Sequence, residues 1–433
     1  MNKVDITIER FIEKEEEGSY FLLPFEVPEE IEKLEITYNY SRYLNERKED
    51  KSTVYREINI IDLGLNGMEG NYIGSSGSDR SSIFISAAIS SQGFAAIDTN
   101  AGMWSIIVGA YKIQDSGCAV TYHITFTKKE RKLLKGDTHM HTLGSDGTLS
   151  VEGVAQLGKY QGLDYIFITD HNNYAHNFQN VDVEGITVIP GTEWTHYKGH
   201  AGLLGVKKPF ESAFCVNSLE EAQAKLTEAK RNGALLVLNH PFCPSCGWKW
   251  GMENFEYDAI EIWNGGVSPA SNIKCMEWWK EQLQNNRKIP IVGGSDFHRL
   301  EVLRLIGMPC TCVYAKSNTS EDIVQAIRNG NSYISLSAMG PDLYAEAGGK
   351  ILGESTAKRS ETTIRFYNLK TNDMLCIITD RETEEIICGE GVREIELKRK
   401  FNDAKYCRFE IVRSPAPEIG PIKVLISNPI YFE

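Results

Sequence analysis

His139 and His141 stand one residue apart in "KGDTHMHTLGSDGTLS", and Asp146 follows five residues after the second. Imidazole and carboxylate donors together suit Zn, Mn or Fe, and soft thiolates are absent from the set. The chain supplies more of the same donors further on. "ITDH" carries Asp170 and His171, "GTEWTH" carries Glu193 and His196, "GHAG" His200, "LNHP" His240, and "GGSDFH" Asp296 and His298. Each alone has an ordinary explanation, a hydrogen-bonded strand end or, for Asp146 before a glycine, a turn former. Jointly they do not: eight of the nine histidines lie between His139 and His298. A multinuclear metal centre is the better account.

The elements that must position these residues read as alternating strand and helix from about Gly136. "GDTHMHT" is a first strand, and Ser150 caps the helix "VEGVAQLGKYQG". "DYIFITDH", "ITVIPGTEWTH" and "HAGLLGV" follow as strands. Ser218 and Glu221 form a capping box opening the next helix, which Gly233 stops before "ALLVLNHP". "AIEIWNG", the helix "NIKCMEWWKEQLQNN" and "IPIVGGSDFH" complete the series, and "CTCVYA" and the helix "SEDIVQAIRNG" come after it. Such units imply parallel strands, and seven of them suggest a distorted β/α (TIM-like) barrel more than an open sheet. The candidate ligands end or open successive strands and so gather at one mouth. Alternate residues of a strand face one side, so His139 and His141 reach the same ion while Met140 packs away. Asp296 and His298 repeat the device.

On both flanks the pattern is β. Alternating runs such as "KLEITYNY", "SSIFISAAIS" and "AVTYHITFTKK" make residues 1–133 a β-sandwich or jelly-roll-like domain. Residues 134–338 hold the α/β domain, and 339–433, with "TTIRFYNL" and "KVLISNPIYF", a small C-terminal β-sandwich. These terminal domains offer surfaces for a homo-oligomer or a cover for the barrel mouth.

Composition excludes some functions. A net charge of -13 gives no extended basic surface for long duplex nucleic acid, although a local basic pocket stays open. No run approaches the ~20 apolar residues that span a bilayer, and the N-terminus lacks the pattern of a secretory signal. Ten cysteines without a regular framework read as reduced thiols, which places the protein in the cytoplasm. Cys243 and Cys246 form a close pair with no second pair to complete a zinc knuckle, so they read as a loop carrying two thiols.

The segments "GDTHMHTLGSDG", "ITDHN", "GTEWTH" with "GHAGLLG", "LNHP", "IEIWNG" and "GGSDFH" resemble, in order, the motifs of the polymerase and histidinol phosphatase (PHP) superfamily. More narrowly they are similar to its stand-alone metallohydrolases related to carbaryl hydrolase. The resemblance covers about residues 135–336 and implies a seven-stranded distorted barrel with two or three divalent ions, Mn, Fe or Zn. It implies a first ion on His139, His141, Glu193 and Asp296, a second on Glu193, His200 and His240, and a third on Asp146, His171 and His298. Glu193, Asp296 and His200 would carry the catalytic role, with Asp170 and His196 supporting from behind the ligands and His176 a loop residue.

The implied reaction is hydrolysis of a small phosphorylated metabolite or nucleotide by a hydroxide shared between two ions. Arg299 and Lys198 are the candidate phosphate partners, or else solvated surface charges. Trp194 and Trp263 line a pocket or fill the core behind it, and Asn264 is a candidate substrate contact. Three rival readings remain: a carboxylic or carbamate ester hydrolase at the same centre, an exonuclease on short oligonucleotides, and a binding protein with a vestigial metal site.

Overall fold

The computed structural model describes residues 2–47, 53–87, 89–179, 181, 183–266, 270–301, 304–415 and 420–433, in two compact units, Met1–Glu130 and Arg131–Glu433. The first unit holds two four-stranded antiparallel sheets. One orders Lys3–Ile12, Cys118–Lys128, Ile31–Tyr40 and Ser82–Ser86; the other orders Tyr20–Val27, Gly102–Lys112, Ile60–Asn66 and Tyr72–Ser76. Their alternation is that of half-buried strands, and inward side chains from both, among them Ile36, Tyr122, Leu63 and Ile106, join one core. His123, the histidine outside the cluster, meets Thr7 Oγ1 at 3.0 Å across a strand pair.

The second unit is mixed α/β, with four α-helices among the described residues. Lys132–Asp137 pairs in parallel with Tyr165–Phe167, and that strand with Thr187–Ile189. A second sheet orders Gly191–His196, Gly199–Leu204, Leu235–Asn239, Ala259–Asn264 and Ile291–Gly294. Isolated parallel bridges, Met140 to Phe297 and His171 to Glu193, join the two sheets beyond their named strands. The expectation of parallel strands throughout is corrected here. Gly191–His196, Gly199–Leu204 and Leu235–Asn239 run antiparallel, because Tyr197 and Lys198 alone connect the first two and a parallel crossover needs a dozen or more residues. The reversal puts His200, near the start of its strand, beside the ends of the others.

Helix starts follow the caps. Ser150 accepts from Gly153 N at 3.1 Å and Ser218 from Glu221 N at 3.2 Å. The Glu221 carboxylate turns to Asn217 N instead of closing the box on Ser218. After residue 339 the chain does not leave the α/β unit. Ile422–Ser427 pairs with Ser332–Ser335 in an eleven-stranded sheet that also contains Lys132–Asp137. One core joins Met140, Val154 and Ile166 to Ile364, Phe409 and Leu425. Asn428, fully inside, donates to Ser332 O and accepts from Ile291 N at 2.9 Å, tying the C-terminus to the strand that leads into "GGSD".

Candidate metal centre

The first strand ends at Asp137, so His139 and His141 lie just past it, and Met140 between them is fully buried in the core. That alternation brings His139 Nε2 and His141 Nε2 to 3.3 Å of each other. Gly294 makes room for them: a Cβ there would stand 2.5 Å from His139 Cβ. His240 and Asp296 adopt left-handed backbone, with φ of 30° and 52°. Such strain costs about 1–3 kcal/mol per residue and persists only where surrounding bonds impose it. Here Glu261 Oε2 accepts from His240 N at 2.9 Å, and Asp296 N donates to His139 O at 2.9 Å.

Glu193, fully buried, is the hub. Its Oε1 lies 3.2 Å from His139 Nε2, 3.4 Å from His200 Nδ1 and 3.3 Å from His240 Nε2. Its Oε2 lies 2.8 Å from His171 Nδ1 and 3.7 Å from His141 Nε2. Asp296 Oδ1 stands 3.3 Å from His139 Nε2 and 3.2 Å from His141 Nε2. On the solvent side, Asp146 Oδ1 is 3.3 Å from His298 Nε2, 3.8 Å from His171 Nε2 and 3.9 Å from His141 Nδ1. All nine side chains proposed as ligands therefore fall in overlapping groups of possible donors. His141 and His171 face two groups each, one per ring nitrogen. Despite these short distances, Glu193 Oε2, Asp296 Oδ1 and His200 Nδ1 are buried without a hydrogen bond. Buried polar atoms that converge this closely yet make no hydrogen bond fit shared divalent cations, and the N/O donor set fits Zn, Mn or Fe.

Electrostatics agree with this. Burial would raise the Glu193 carboxyl, but the His139 charge and the contacts of His139, His171 and His200 hold it well below the usual range. Burial opposes ionisation of Asp296 too, yet His139, His141 and His240 hold it low. His139 is pushed down by burial and up, more strongly in sum, by Asp296, Glu261 and Glu193. His240 is likewise raised, by Cys246 and Glu193 against burial. Burial leaves His141 below its ordinary value.

The supporting residues differ from expectation. Asp170 contacts none of the proposed ligand histidines directly; it accepts from Thr142 N at 2.7 Å and Ser145 Oγ at 2.7 Å and faces His176 Nδ1 at 3.1 Å. His176, expected in a loop, is buried in a 3-10 turn. His196 stacks on Trp194, meets the Trp250 ring at a tilt and lines a cleft of about 700 Å³ beside His200, together with Asn172, Thr195, Tyr197 and Phe214. Trp194, expected at a substrate pocket, is instead fully buried and donates Nε1–H to Phe214 O; Trp263 is core as well. Asn264 donates to Glu261 Oε2 at 3.1 Å. Lys198 lies over the Trp250 ring at 4.5 Å, and Arg299 is exposed, 3.8 Å from Glu301.

Two residues escaped the sequence reading, and a third, Cys246, was read there only as a loop thiol. Glu261 is buried and meets His139 Nδ1 at 3.0 Å with Oε1. Asp137 accepts from Ser295 N at 3.0 Å and Gly307 N at 2.8 Å, and burial raises it to about 6. Cys246 Sγ lies 3.6 Å from His240 Nδ1 and groups with His200 and His240. A signal existed for two: Glu261 interrupts the otherwise apolar run of "AIEIW", and Asp137 stands two residues before His139.

No family model matches the chain. A 64-residue stretch, 14% of this chain, is 39% identical to a part of the DNA polymerase/3'-5' exonuclease PolX of Bacillus subtilis, covering 11% of that protein. The match thus spans about a tenth of the relative's length. Among solved structures, a two-domain protein of Bacteroides vulgatus containing a "predicted PHP-like metal-dependent phosphoesterase" aligns over 69% of this chain and 95% of its own, at 19% identity and TM-score 0.40. An amidohydrolase of Chromobacterium violaceum, with bound sulfate and no metal, aligns over 38% of this chain and 87% of its own, at 16% identity and TM-score 0.27. Among the described residues no helix is long and apolar enough to cross a membrane.

Proposed function

We propose that the chain is a divalent-metal-dependent hydrolase of the PHP type, acting on a phosphoester of a small metabolite, a nucleotide or a short oligonucleotide. The observation that carries this reading is the convergence of nine N and O donors with buried, unpartnered lone pairs on Glu193, Asp296 and His200. In this reading the segments around the site close as a distorted seven-stranded barrel, with the Met140–Phe297 and His171–Glu193 bridges as its seams. The PolX match lends support, since it lies in a protein named for phosphodiester chemistry.

His139, His141, Glu193 and Asp296 would hold one ion, Glu193 with His200 and His240 a second, and Asp146 with His171 and His298 a third. Divalent ions there supply Lewis acidity, which makes water a usable nucleophile near neutral pH and offsets charge on phosphoryl oxygens. Glu193, whose two oxygens face different groups of histidines, would contribute to two of the sites. Asp146, whose side chain is 55% exposed, is the ligand that faces incoming substrate. Arg299 is exposed near His298 and remains the candidate phosphate partner.

One observation favours a second reading, hydrolysis of a carboxylic or carbamate ester. The cleft beside His200 is lined by Asn172, Thr195, His196, Tyr197, Phe214 and Val216 with neighbours, and none of its described lining residues is Lys or Arg. It suits an uncharged group. Metal content per chain for the native protein and Asp146→Ala tests the centre: three ions falling to about two supports it, and no bound ion after incubation with Mn, Fe or Zn overturns it. Turnover of a phosphate monoester panel against an aryl ester panel separates the two readings.

A further inference from the structure

We infer that Cys243 and Cys246 are a redox-active dithiol, and that its oxidation to an intramolecular disulfide by a low-molecular-weight disulfide loosens the ion held through His240. All ten cysteines are free thiols, but they are not equivalent. Cys310 and Cys312 also lie close, 3.6 Å between sulfurs, yet both are fully buried and out of reach of an oxidant. Cys243 and Cys246 are partly exposed, with sulfurs 2.9 Å apart. A disulfide needs about 2.05 Å, so closure asks for less than about 1 Å of movement.

The loop already has the shape required. Cys243 N donates to His240 O at 2.9 Å, Gly247 N to Cys243 O at 3.0 Å and Trp248 N to Pro241 O at 2.9 Å. A Cβ on Gly247 would stand 2.5 Å from Cys243 O, so the turn that juxtaposes the thiols tolerates only glycine there. Ser245 and Cys246 line the cleft of about 700 Å³, which gives a small disulfide a route in. In the exchange, one cysteine sulfur attacks the reagent disulfide and expels one of its thiols. The second cysteine then attacks the mixed disulfide and expels the other, so two protons leave the protein and the reagent is reduced to two thiols.

The link to metal follows from Cys246 Sγ, 3.6 Å from His240 Nδ1. A ligating imidazole is oriented by the group that bonds its other nitrogen. In the disulfide that sulfur has neither a proton to give nor a charge to offer, and it is drawn toward Cys243. This second half rests on the reading of His240 as a ligand in the function proposed above.

The test uses full-length, metal-loaded protein equilibrated in glutathione buffers from reduced to oxidised, followed by thiol trapping, intact and peptide mass spectrometry, and metal analysis. The expected result is loss of two hydrogens confined to the peptide bearing both cysteines, with an affinity for one ion about ten-fold weaker. Cys243→Ser keeps its ions in both buffers. Two alkylated cysteines in the most oxidising buffer would overturn the dithiol, and a disulfide that leaves metal content unchanged would overturn the coupling. A reduced protein that holds no ion would sink the hydrolase reading and the coupling together, while mass alone still scores the disulfide.

Discussion

Glu261→Gln is a change of one atom type at a residue outside the nine proposed ligands. Glu261 is 2% exposed, and its two oxygens do three jobs. Oε1 meets His139 Nδ1 at 3.0 Å; Oε2 accepts from His240 N at 2.9 Å and from Asn264 Nδ2 at 3.1 Å. With an ion bound, a carboxylate at Nδ1 would keep the one remaining proton there and leave Nε2, the nitrogen facing Glu193 and Asp296, as the lone pair. Glutamine has one oxygen. If that oxygen faces His139, the amide NH2 confronts the His240 backbone N–H, and a buried donor left unpaired costs about 1–3 kcal/mol. If it faces His240, the NH2 donates to His139 Nδ1, and the imidazole proton moves to Nε2, where it competes with the ion. Either way metal affinity falls, by about 10- to 100-fold, as for other partners of ligating histidines. Competition with a chelator of known affinity, on native and Glu261→Gln protein at equal pH, measures it. Equal affinities within a factor of about two, with the fold intact by circular dichroism, would refute the reasoning.

Metal loading should release protons, because His139 and His240 are held protonated by Asp296, Glu261 and Glu193 or by Cys246 and Glu193, and ions displace those protons. Calorimetric titrations in two buffers of different ionisation enthalpy should disagree in apparent heat, and affinity should rise with pH; identical heats would count against it. Glu410, 3% exposed between Arg408 and Lys423, has its carboxyl lowered from 4.5 to about 2, against the pull of burial. Its contribution, about 3 kcal/mol from that difference, is present above pH 4.5 and lost as pH falls toward 2. Glu410→Gln should therefore be about 3–5 kcal/mol less stable near neutral pH, with the gap to native narrowing in urea melts at pH 3. A constant gap would contradict this. Deleting 341–433 should leave little folded protein, since the deletion removes one of the two sheet partners of Ser332–Ser335 and the Asn428 bonds to Ile291. A cooperative melt of the truncated chain would show that the α/β part folds alone.

The donor types were legible because metal chemistry restricts them to few residues, and strand periodicity places H-x-H on one face. All nine proposed ligands could be named from six short motifs. The connection between strands was less legible: "GTEWTHYKGHAGLLGV" alternates as well for parallel as for antiparallel strands, and only the two-residue link at Tyr197 and Lys198 decides. The C-terminal boundary misled because alternating strands after residue 339 look alike whether they close a domain of their own or extend a neighbouring sheet. Substrate contacts were hardest. Trp194 and Asn264 stand next to motif residues in sequence, yet neighbours on a strand face opposite sides, which sends Trp194 into the core.

What sequence showed only in part, through Asp170, is a tier of carboxylates working behind the ligands. Asp137 Oδ1 accepts from His139 N and Ser295 N, Asp170 accepts from Thr142 N, and Glu261 accepts from His240 N. Each buried acid takes a backbone N–H from a segment that carries or adjoins a ligand, so the ends of different strands are fixed relative to one another by charge-assisted bonds, the stronger kind. Burying three such groups is costly, and a structure that needed only to fold could use apolar residues at these points. Their placement is economical only if the distances among His139, His141, His240 and Asp296 must be held to the tolerance of ion coordination. Substitution in this tier should therefore depress metal binding more than it depresses folding, the reverse of what a merely structural acid would do.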